Sequence, residues 1–483
     1  MWYSGIGIAH GDGSRSDGKQ AIQKGDTIFC GGNWYLQNLK TTANPREQNT
    51  FPFAVTDSSA DSGVEFNLSV ITAMMGTSYH PQSVIQNHNV LYSWFGSGEG
   101  SVNVFAAQSS DFGVTWLDSI RLSPLGPTAN EYCNIGSDDS LVYVVWKGGG
   151  EDSTFLRSIA HGTSVWSPIT GVAGYNEGGN PFTYRPDVVA DQGFLSVVYE
   201  GSNINGHYLR SKQSSDFGVT WGAESVVGGL PCGKGAEIAF GSGVLHAIRG
   251  SCGSPEIRYN KSTDFGVNWS VDNFISDTDG YSSQWPSISA DPYGTVYATW
   301  FDYKDSPNAD TGYLFFRRST DQGISWDSIQ YLSTEPLSTW SDVYSDSLGV
   351  YVVWSRSEYP KQCYFRMSRD RGMTWSEERQ LGDPLADISE PEIDGDGYYL
   401  AVSGRTLRSG QYVAPTHILG GFVISGDADG NRLITISDAV YLINYIFAGS
   451  NAPVLHATGD FNGDAQTNIS DVVSIINYIF GGK

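Results

Sequence analysis

Short apolar segments recur along the chain about every 50 residues, and polar, glycine-rich stretches separate them. Clear examples are residues 141–146, 295–300 and 349–354, each of which ends in a tryptophan. Apolar runs of this length between turn residues are typical of buried β-strands. In each repeat, a strand that begins near a proline precedes the apolar run, and two further strands follow it. The pattern therefore predicts a mainly β chain of four-stranded units.

The third strand of each repeat leads into a motif of the form Ser-x-Asp-x-Gly-x-Thr-Trp. Close copies occupy residues 109–116 and 214–221, weaker copies 262–269, 319–326 and 368–375, and eroded copies 58–66 and 158–166. The aspartate can cap the backbone N–H groups of a tight turn, the glycine supplies a positive φ, and the tryptophan can pack its ring on the sheet. The motif resembles the Asp box of the sialidase and BNR-repeat β-propellers. In that family the box is a structural turn on the outer part of each blade, so the resemblance implies structural aspartates.

The number of repeats predicts the number of blades. Complete repeats end at Trp116, Trp166, Trp221, Trp269, Trp326 and Trp375. One more start follows at 390–393, and one unmatched end precedes the first repeat at 51–71. Together these halves would form a blade from both ends of the chain and remove open sheet edges. We expect a seven-bladed propeller over 50–414, after an extension over 1–49, with six blades as the alternative because the sialidases have six.

Charge and composition limit the partners and the cellular location that we expect for the protein. The net charge of −24 repels phosphate backbones, so we expect no nucleic-acid partner, whereas this charge suits calcium. No apolar run approaches the roughly 18 residues of a membrane-spanning helix. The N-terminal stretch lacks the basic and apolar regions of a signal peptide, and we interpret the chain as an exported protein whose signal has been removed.

The five cysteines are too few for a disulfide scaffold. Cys232 and Cys252 both lie beside glycine in one repeat and could pair. Cys30, Cys133 and Cys363 look isolated, so at least one cysteine is expected to be free or bonded to another chain.

A different pattern follows a short connection that we predict at 415–425. Two loops carry oxygen ligands at the spacing that surrounds one Ca²⁺ ion. The predicted ligands are Asp427, Asp429, Asn431, Leu433 (carbonyl), Thr435 and Asp438 in the first loop, and Asp460, Asn462, Asp464, Gln466 (carbonyl), Asn468 and Asp471 in the second. Each loop runs into an apolar stretch with helical spacing, at 439–447 and 472–480.

This duplicated loop and helix, with aspartate at the twelfth loop position, resembles the type I dockerin over residues 426–483. The resemblance implies two Ca²⁺ ions, folding coupled to calcium, and binding to a cohesin-like or other extracellular receptor. The positions of the family's receptor-contact region are the same in both copies: Ile436, Ser437, Ile443 and Asn444, and Ile469, Ser470, Ile476 and Asn477. The chain departs from the family at the sixth loop position, where Arg432 and Ala465 replace the usual glycine.

The propeller resemblance also implies a site at the mouth of the central channel, on the inner strands. Sialidases grip a carboxylate with three arginines there, beside a tyrosine nucleophile assisted by a glutamate and an aspartate acid/base. The predicted inner-strand starts contain one arginine, Arg185, although other strands could supply Arg249, Arg258 or Arg317. We assign no catalytic residue. A carboxylate pair for glycoside hydrolysis stays open, with these candidates: Glu131, Asp187, Asp342 and Glu390.

Aromatic residues are frequent at the same strand starts, namely Tyr79, Tyr132, Tyr184, Trp285 and Trp340. With Arg185 they form the predicted ligand site at the mouth. Such rings either stack on a sugar or anchor a partner, or they pack between neighbouring blades.

These patterns predict a secreted or cell-surface, non-catalytic β-propeller that acts as a binding or structural platform. Its calcium-binding tail would attach it to a cohesin-like receptor or to another copy of itself, and a glycan is a possible ligand. One alternative is a sialidase-like glycoside hydrolase carried by a dockerin. The other is a subunit of an extracellular filament.

Overall fold

The computed structural model describes residues 22–24, 27–30, 33–36, 64–70, 78–86, 88–98, 101–113, 115–124, 126, 128–148, 153–174, 183–203, 206–229, 234–250, 255–306, 312–336, 338–358, 360–381, 387–408, 411–422, 425–430, 433–450, 452–453, 456–462 and 466–481. Thirty-one strands and a small helical region lie within them. The strands are β1 (Ile22–Lys24), β2 (Thr27–Cys30), β3 (Asn33–Leu36), β4 (Val64–Val70), β5 (Ser78–Gln86), β6 (Asn89–Gly98), β7 (Ser101–Ser109), β8 (Ile120–Arg121), β9 (Glu131–Ser137), β10 (Leu141–Gly148), β11 (Ser153–Ala160), β12 (Thr170–Ala173), β13 (Thr183–Asp191), β14 (Phe194–Asn203), β15 (Gly206–Ser214), β16 (Ser225–Val226), β17 (Lys234–Gly241), β18 (Val244–Gly250), β19 (Arg258–Ser262), β20 (Asn273–Phe274), β21 (Ser283–Ala290), β22 (Val296–Asp302), β23 (Tyr313–Ser319), β24 (Gln330–Tyr331), β25 (Ser338–Ser345), β26 (Val350–Arg356), β27 (Cys363–Ser368), β28 (Arg379–Leu381), β29 (Asp387–Gly395), β30 (Tyr399–Arg408) and β31 (Gln411–Phe422).

The strands form a β-propeller. Six four-stranded sheets are each built from consecutive strands, namely β5–β8, β9–β12, β13–β16, β17–β20, β21–β24 and β25–β28. The inner strands β5, β9, β13, β17, β21, β25 and β29 pack side by side around the channel, and β29 closes the ring against β5. A further four-stranded sheet has the order β29-β30-β31-β4, and β1–β3 form a separate three-stranded sheet.

The predicted fold class, a mainly β propeller followed by a small helical region, is confirmed. The number of blades is six when only sheets built from one stretch of chain are counted. It is seven when the composite sheet β29-β30-β31-β4 is included. Six blades are complete within one stretch of chain, as in the six-bladed alternative. The composite sheet takes its fourth strand from near the N-terminus, and residues up to Leu68 belong to a different compact unit from residues 69–420.

The second strand of each blade supplies most of the core, as the apolar runs predict. All seven residues of β18 and of β22 are buried. Trp146, Trp300 and Trp354, at the ends of three predicted runs, have no exposed surface. Burial of side chains this large contributes roughly 2 to 3 kcal/mol each before entropy is counted.

The Ser-x-Asp-x-Gly turns have the predicted hydrogen bonds. In the turn at 214–221, Asp216 accepts from the backbone N–H of Thr220 at 2.8 Å and from its hydroxyl at 2.6 Å. The Ser214 hydroxyl accepts from Gly218 N at 2.9 Å, and Gly218 has φ of 80°. The same bonds recur in the turns at 109–116, 262–269, 319–326 and 368–375. Among the motif tryptophans Trp116 is buried, whereas Trp221 is only half-buried.

The other compact unit comprises residues 1–68 and 421–483. Its helices are α1 (Ile436–Ile443), continued by a π-helical turn (Asn444–Ala448), then α2 (His456–Gly459) and α3 (Ile469–Gly481). Helix α1 packs on α3 around Ala428, Ala439, Leu442, Val472 and Ile475. Both long helices begin three residues before the predicted stretches, because the last loop aspartate lies in the first helical turn.

The predictions about the connection, the cysteines and membrane-spanning segments have the following outcomes. Residues 415–422 of the predicted connection belong to β31, because the alternating segment continues as a strand. Cys133 and Cys363 are buried free thiols, and the proposed pairing of Cys232 with Cys252 lies outside the described residues. None of the helices described is long and apolar enough to cross a membrane.

Candidate functional sites

A backbone irregularity recurs where the inner strands reach the mouth of the channel. The register shifts near the start of β5, β9, β13, β21 and β29, which marks a β-bulge in each. The bulged residues have left-handed backbone angles, and they are His80 (φ 45°), Tyr132 (50°), Arg185 (45°), Trp285 (50°) and Glu390 (53°). Each such non-glycine residue costs roughly 1 to 3 kcal/mol, and such strain clusters at functional sites.

The prolines that mark the inner strands explain the position of these bulges. Pro81, Pro186, Pro286 and Pro391 each follow a bulged residue directly. A proline has no N–H to give to the strand ladder, so it fits where the pairing is interrupted. The bulge turns the preceding side chain toward the mouth.

Arg185 lies at the centre of the predicted aromatic group. Its guanidinium is 5.3 Å from the ring centroid of Tyr132, 5.4 Å from that of Tyr184 and 4.9 Å from that of Trp285. Its Nε is buried and has no hydrogen-bond partner among the described residues, and no carboxylate there forms an ion pair with it. The aromatic faces hold the cation by cation–π attraction and leave its hydrogen-bond donors available.

The aromatic rings form two pairs around this arginine. The rings of Tyr132 and Tyr184 are 4.2 Å apart and their hydroxyls are hydrogen bonded, and the rings of Trp285 and Trp340 are 4.9 Å apart. A cavity of about 70 Å³ lies between Arg185, Tyr132 and the two tryptophans. Tyr79 does not line it, because its ring stacks on Phe95 and lies under Arg405.

His80 also lines the cavity, and we did not predict it as a site residue. Its ring is 5.8 Å from Tyr132 and 5.2 Å from Trp340. Burial lowers its pKa, and Arg185 lowers it further, against the opposing effect of Glu390. The imidazole is therefore neutral near pH 7. The signal for it in the sequence is its position directly before the inner-strand proline.

The carboxylates considered for hydrolysis are engaged with other groups. Glu131 forms an ion pair with Lys147 at 3.6 Å, and the Glu390 carboxylate accepts from Arg405 at 2.6 Å. Asp187 is buried and accepts from Ile238 N of the next blade at 2.7 Å.

Asp342 and Asp394 make the same contact as Asp187. They accept from backbone N–H groups of the next sheet, Ile393 at 2.7 Å and Ile85 at 3.0 Å. Burial raises the pKa of Asp394 to about 7, against the lowering effect of its hydrogen bonds. These aspartates connect the inner strands around the ring.

The remaining arginine candidates lie away from the mouth. Arg249 in β18 is buried and forms an ion pair with Asp272. The Arg258 guanidinium lies over Phe274, and Arg317 donates to the carbonyls of Asp327 and Ile275. These contacts do not bring the three arginines to Arg185.

The first predicted calcium loop brings three carboxylates together. Oxygens of Asp427, Asp429 and Asp438 all lie within 4.8 Å of one another, and Asp438 is buried. Burial raises the pKa of Asp438, and Asp429 raises it further. A cation with oxygen coordination would offset this repulsion, so the donors fit Ca²⁺. Asn431, Arg432, Asp464 and Ala465 lie outside the described residues.

The second loop repeats the backbone geometry of the first. Asp438 accepts from Asp429 N at 3.1 Å and from Thr435 N at 2.7 Å. In the second loop Asp471 accepts from Asn462 N at 3.1 Å and from Asn468 N at 2.8 Å. Both aspartates thus cap a loop and begin a helix.

The segment that contains both loops and helices matches a known domain family. Residues 425–480 match the type I dockerin domain. Dockerin domains bind calcium and attach proteins to cohesin-bearing assemblies. The exposed residues of the dockerin helices include Ile436, Val440, Ile469 and Val473. No curated protein matches the chain.

Solved structures with the propeller fold come from proteins of several kinds. The PL25 ulvan lyase is 11% identical, with 72% of this chain and 94% of that chain covered and a TM-score of 0.51. A protein of unknown function from Dyadobacter fermentans is 14% identical, covers 74% and 99%, and has a TM-score of 0.47. The NanB sialidase from Streptococcus pneumoniae is 15% identical, covers 72% and 69%, and has a TM-score of 0.43. At 11% identity, the likeness to the ulvan lyase shows the fold alone.

Proposed function

We propose that the propeller binds an acidic glycan at its mouth and that the dockerin attaches it to a cohesin-bearing extracellular assembly. The observation that carries the proposal is Arg185, a cation held between aromatic faces with no described acid partner. A planar guanidinium pairs well with a carboxylate, through two parallel hydrogen bonds. The solved ulvan lyase is described as bound to a sugar that contains glucuronic acid, which is a ligand of this chemistry.

Glu392 lines the same cavity as Arg185, and its burial favours the neutral carboxyl. Burial raises the pKa of Glu392 well above its usual value, and Asp342 and Glu237 raise it further. A protonated Glu392 neither forms an ion pair with Arg185 nor repels an incoming anion. The proposal requires that Arg185 keeps its positive charge available to a ligand in a chain of net charge −24.

The tryptophan pair supplies the apolar side of the proposed site. Trp285 is 37% exposed although it belongs to an inner strand, and it contacts both Trp340 and Arg185. An exposed ring beside a charged donor suits a sugar, whose apolar face stacks while its carboxylate is hydrogen bonded.

Titration calorimetry of the full chain with oligoglucuronate tests this function. We expect Arg185→Ala to abolish binding and Arg185→Lys to weaken it at least tenfold, because an ammonium cannot form the paired hydrogen bonds. Arg318→Ala is the matched control, since its guanidinium pairs with Asp327 on the outer strands. Equal affinity of Arg185→Ala and the unmodified chain would refute the proposal.

Cleavage of the bound glycan is the second candidate, and His80 favours it. A neutral imidazole beside Arg185 can accept a proton from a bound substrate. Release of reducing ends from acidic polysaccharides, lost in His80→Ala or in Tyr184→Phe, would establish an enzyme and replace the platform function. Binding without release over a prolonged incubation would support the platform.

The dockerin part of the proposal has its own test. We propose two Ca²⁺ ions, one in each loop, and docking through the helices α1 and α3. Retention of the full chain on immobilised type I cohesin should require calcium and should be independent of Arg185. Retention in the presence of EDTA would contradict calcium-dependent docking.

A further inference from the structure

A second cavity, away from the mouth, lies between the blades β5–β8 and β9–β12. Its volume is about 440 Å³, within the range of small-molecule sites, roughly 300 to 1,000 Å³. We call it the inter-blade cleft. Its polar lining includes Gln86, Asn89, Gln108, Ser110, His161 and Ser164.

The inter-blade cleft exists because one turn of the ring differs from the others. In four other blades, the turn glycine packs against the preceding blade. A Cβ on Gly266 would come within 2.9 Å of Gln213, and one on Gly372 within 2.7 Å of Phe316. The turn at 158–166 has lost its aspartate. Its Gly162 is packed less tightly, because the nearest atom to a Cβ at that position is Asn89 Oδ1 of the preceding blade, at 3.7 Å.

A hydrogen bond that joins neighbouring blades elsewhere is not made between the described residues of these two blades. Its donor is the residue directly before the turn serine. In three other blades this residue donates to a carbonyl of the next turn, namely Gln213 to Gly266 at 2.6 Å, Lys261 to Gln322 at 2.9 Å and Arg318 to Arg371 at 2.6 Å. Gln108 occupies the same position but makes no such bond within the described part of the chain. Its amide lines the cleft instead.

The amides of Gln86 and Asn89 also line the cleft and have no hydrogen-bond partner among the described residues. Each amide offers two donors and an acceptor, which suits neighbouring hydroxyl groups. The exposed apolar side chains of the lining are Leu117 and Val165, whereas Val142 and Ile159 behind them are buried. Among the described lining residues there is no Asp, Glu, Lys or Arg.

We infer that the inter-blade cleft is a second carbohydrate site, which takes an uncharged sugar. Three amides of one blade receive the hydroxyl groups, and the exposed side chains of Leu117 and Val165 cover the apolar face of the sugar ring. The absence of charge in the described lining separates this ligand from the acidic sugar proposed for the mouth. The inference does not depend on the function proposed for Arg185.

Saturation-transfer NMR of the full chain with cellobiose, xylobiose and mannobiose tests the inference. We expect transfer to at least one of these neutral disaccharides, and its loss in the double variant Asn89→Leu with Gln108→Leu. Arg185→Ala should leave the transfer unchanged, and glucuronic acid should not compete.

Gln213→Leu is the matched control for the glutamine. It removes the bond to Gly266 and should lower the Tm without changing the transfer, whereas Gln108→Leu should reduce the transfer without lowering the Tm. The inference is overturned if none of the three disaccharides shows transfer, if the double variant retains it, or if Arg185→Ala abolishes it. The last result would place neutral-sugar binding at the mouth.

Discussion

Charged side chains in this protein have two opposite environments at the scale of single residues. Each turn aspartate is surrounded by donors, and Asp321 accepts from Ser325 N, the Ser325 hydroxyl and the Ser319 hydroxyl. Arg185 lies between rings and keeps a donor without a described acceptor. The aspartates use their acceptors within the turns, whereas the arginine keeps a donor for the acidic ligand that we propose.

The pKa of Asp321 makes the turn contribution measurable. Burial raises this pKa, but the hydrogen bonds from Ser325 and Ser319 lower it more, to about 2. Because the folded pKa lies below the unfolded value near 4, this stabilisation is complete above about pH 4 and is lost as the pH falls toward 2. We expect Asp321→Asn to reduce the free energy of unfolding by about 1 to 2 kcal/mol at pH 7.

Urea unfolding of Asp321→Asn and the unmodified chain at a series of pH values checks this. The difference should shrink as the pH falls from 4. A constant difference down to pH 2 would mean that the aspartate's charge is not what stabilises the turn.

Asp394 has the reverse pH dependence. Its folded pKa of about 7 is above the unfolded value near 4, so stability is present at low pH and is lost as the pH rises toward 7. Asp394→Asn keeps an acceptor for Ile85 N and removes the buried charge. We expect it to raise the Tm by a few degrees at pH 8 and by less at pH 5, as scanning calorimetry would show. The exposed Asp118→Asn is the control, and a lower Tm at pH 8 would contradict the expectation.

At the scale of elements, the Ser-x-Asp-x-Gly turns connect two strands of one blade and also pack against the preceding blade. The turn glycine of one blade lies against side chains of the preceding one, as Gly372 does against Phe316. The turn at 158–166 lacks this contact, and the inter-blade cleft is the result. The turn glycine therefore packs tightly at interfaces such as that of Gly372, whereas the inter-blade cleft lies beside Gly162.

Alanine at two turn glycines separates these effects. Gly372→Ala places a methyl group 2.7 Å from Phe316 at a φ of 77°, whereas Gly162→Ala has the same backbone strain at φ 70° without a close neighbour. We expect about 1 kcal/mol of destabilisation for Gly162→Ala and roughly 2 to 4 kcal/mol for Gly372→Ala, in equilibrium urea unfolding. Equal losses of unfolding free energy in the two variants would show that the turn glycine does not pack tightly against the preceding blade.

The repeats were predictable because their signals are local. Glycine and aspartate at a fixed spacing determine each turn, and an apolar run identifies each second strand. Prolines such as Pro286 mark where the bulges lie, but the left-handed backbone angle of Trp285 was not predictable, because it depends on pairing with the next strand. The contact of His80 with Trp340 joins residues far apart in the chain, so no local pattern reveals it.

At the scale of the whole molecule, the chain combines a β-propeller with a segment that matches the type I dockerin domain. The dockerin aspartates Asp438 and Asp471 have matching positions in the two loops. Calcium content of the full chain, measured after gel filtration, should be two ions per chain, with one in Asp438→Ala and one in Asp471→Ala. Two ions in either variant, or none in the unmodified chain, would contradict one site per loop.

The composite sheet has a mechanical consequence. The dockerin follows β31 in the chain, so tension on a docked molecule first loads the Phe422 end of that strand. In the sheet order, β31 lies between β30 and β4, and a strand at an edge would have one neighbour instead of two. Pulling β31 out must break two ladders of hydrogen bonds, whereas an edge strand peels away from one. A strand loaded from its Phe422 end is thus held along both edges.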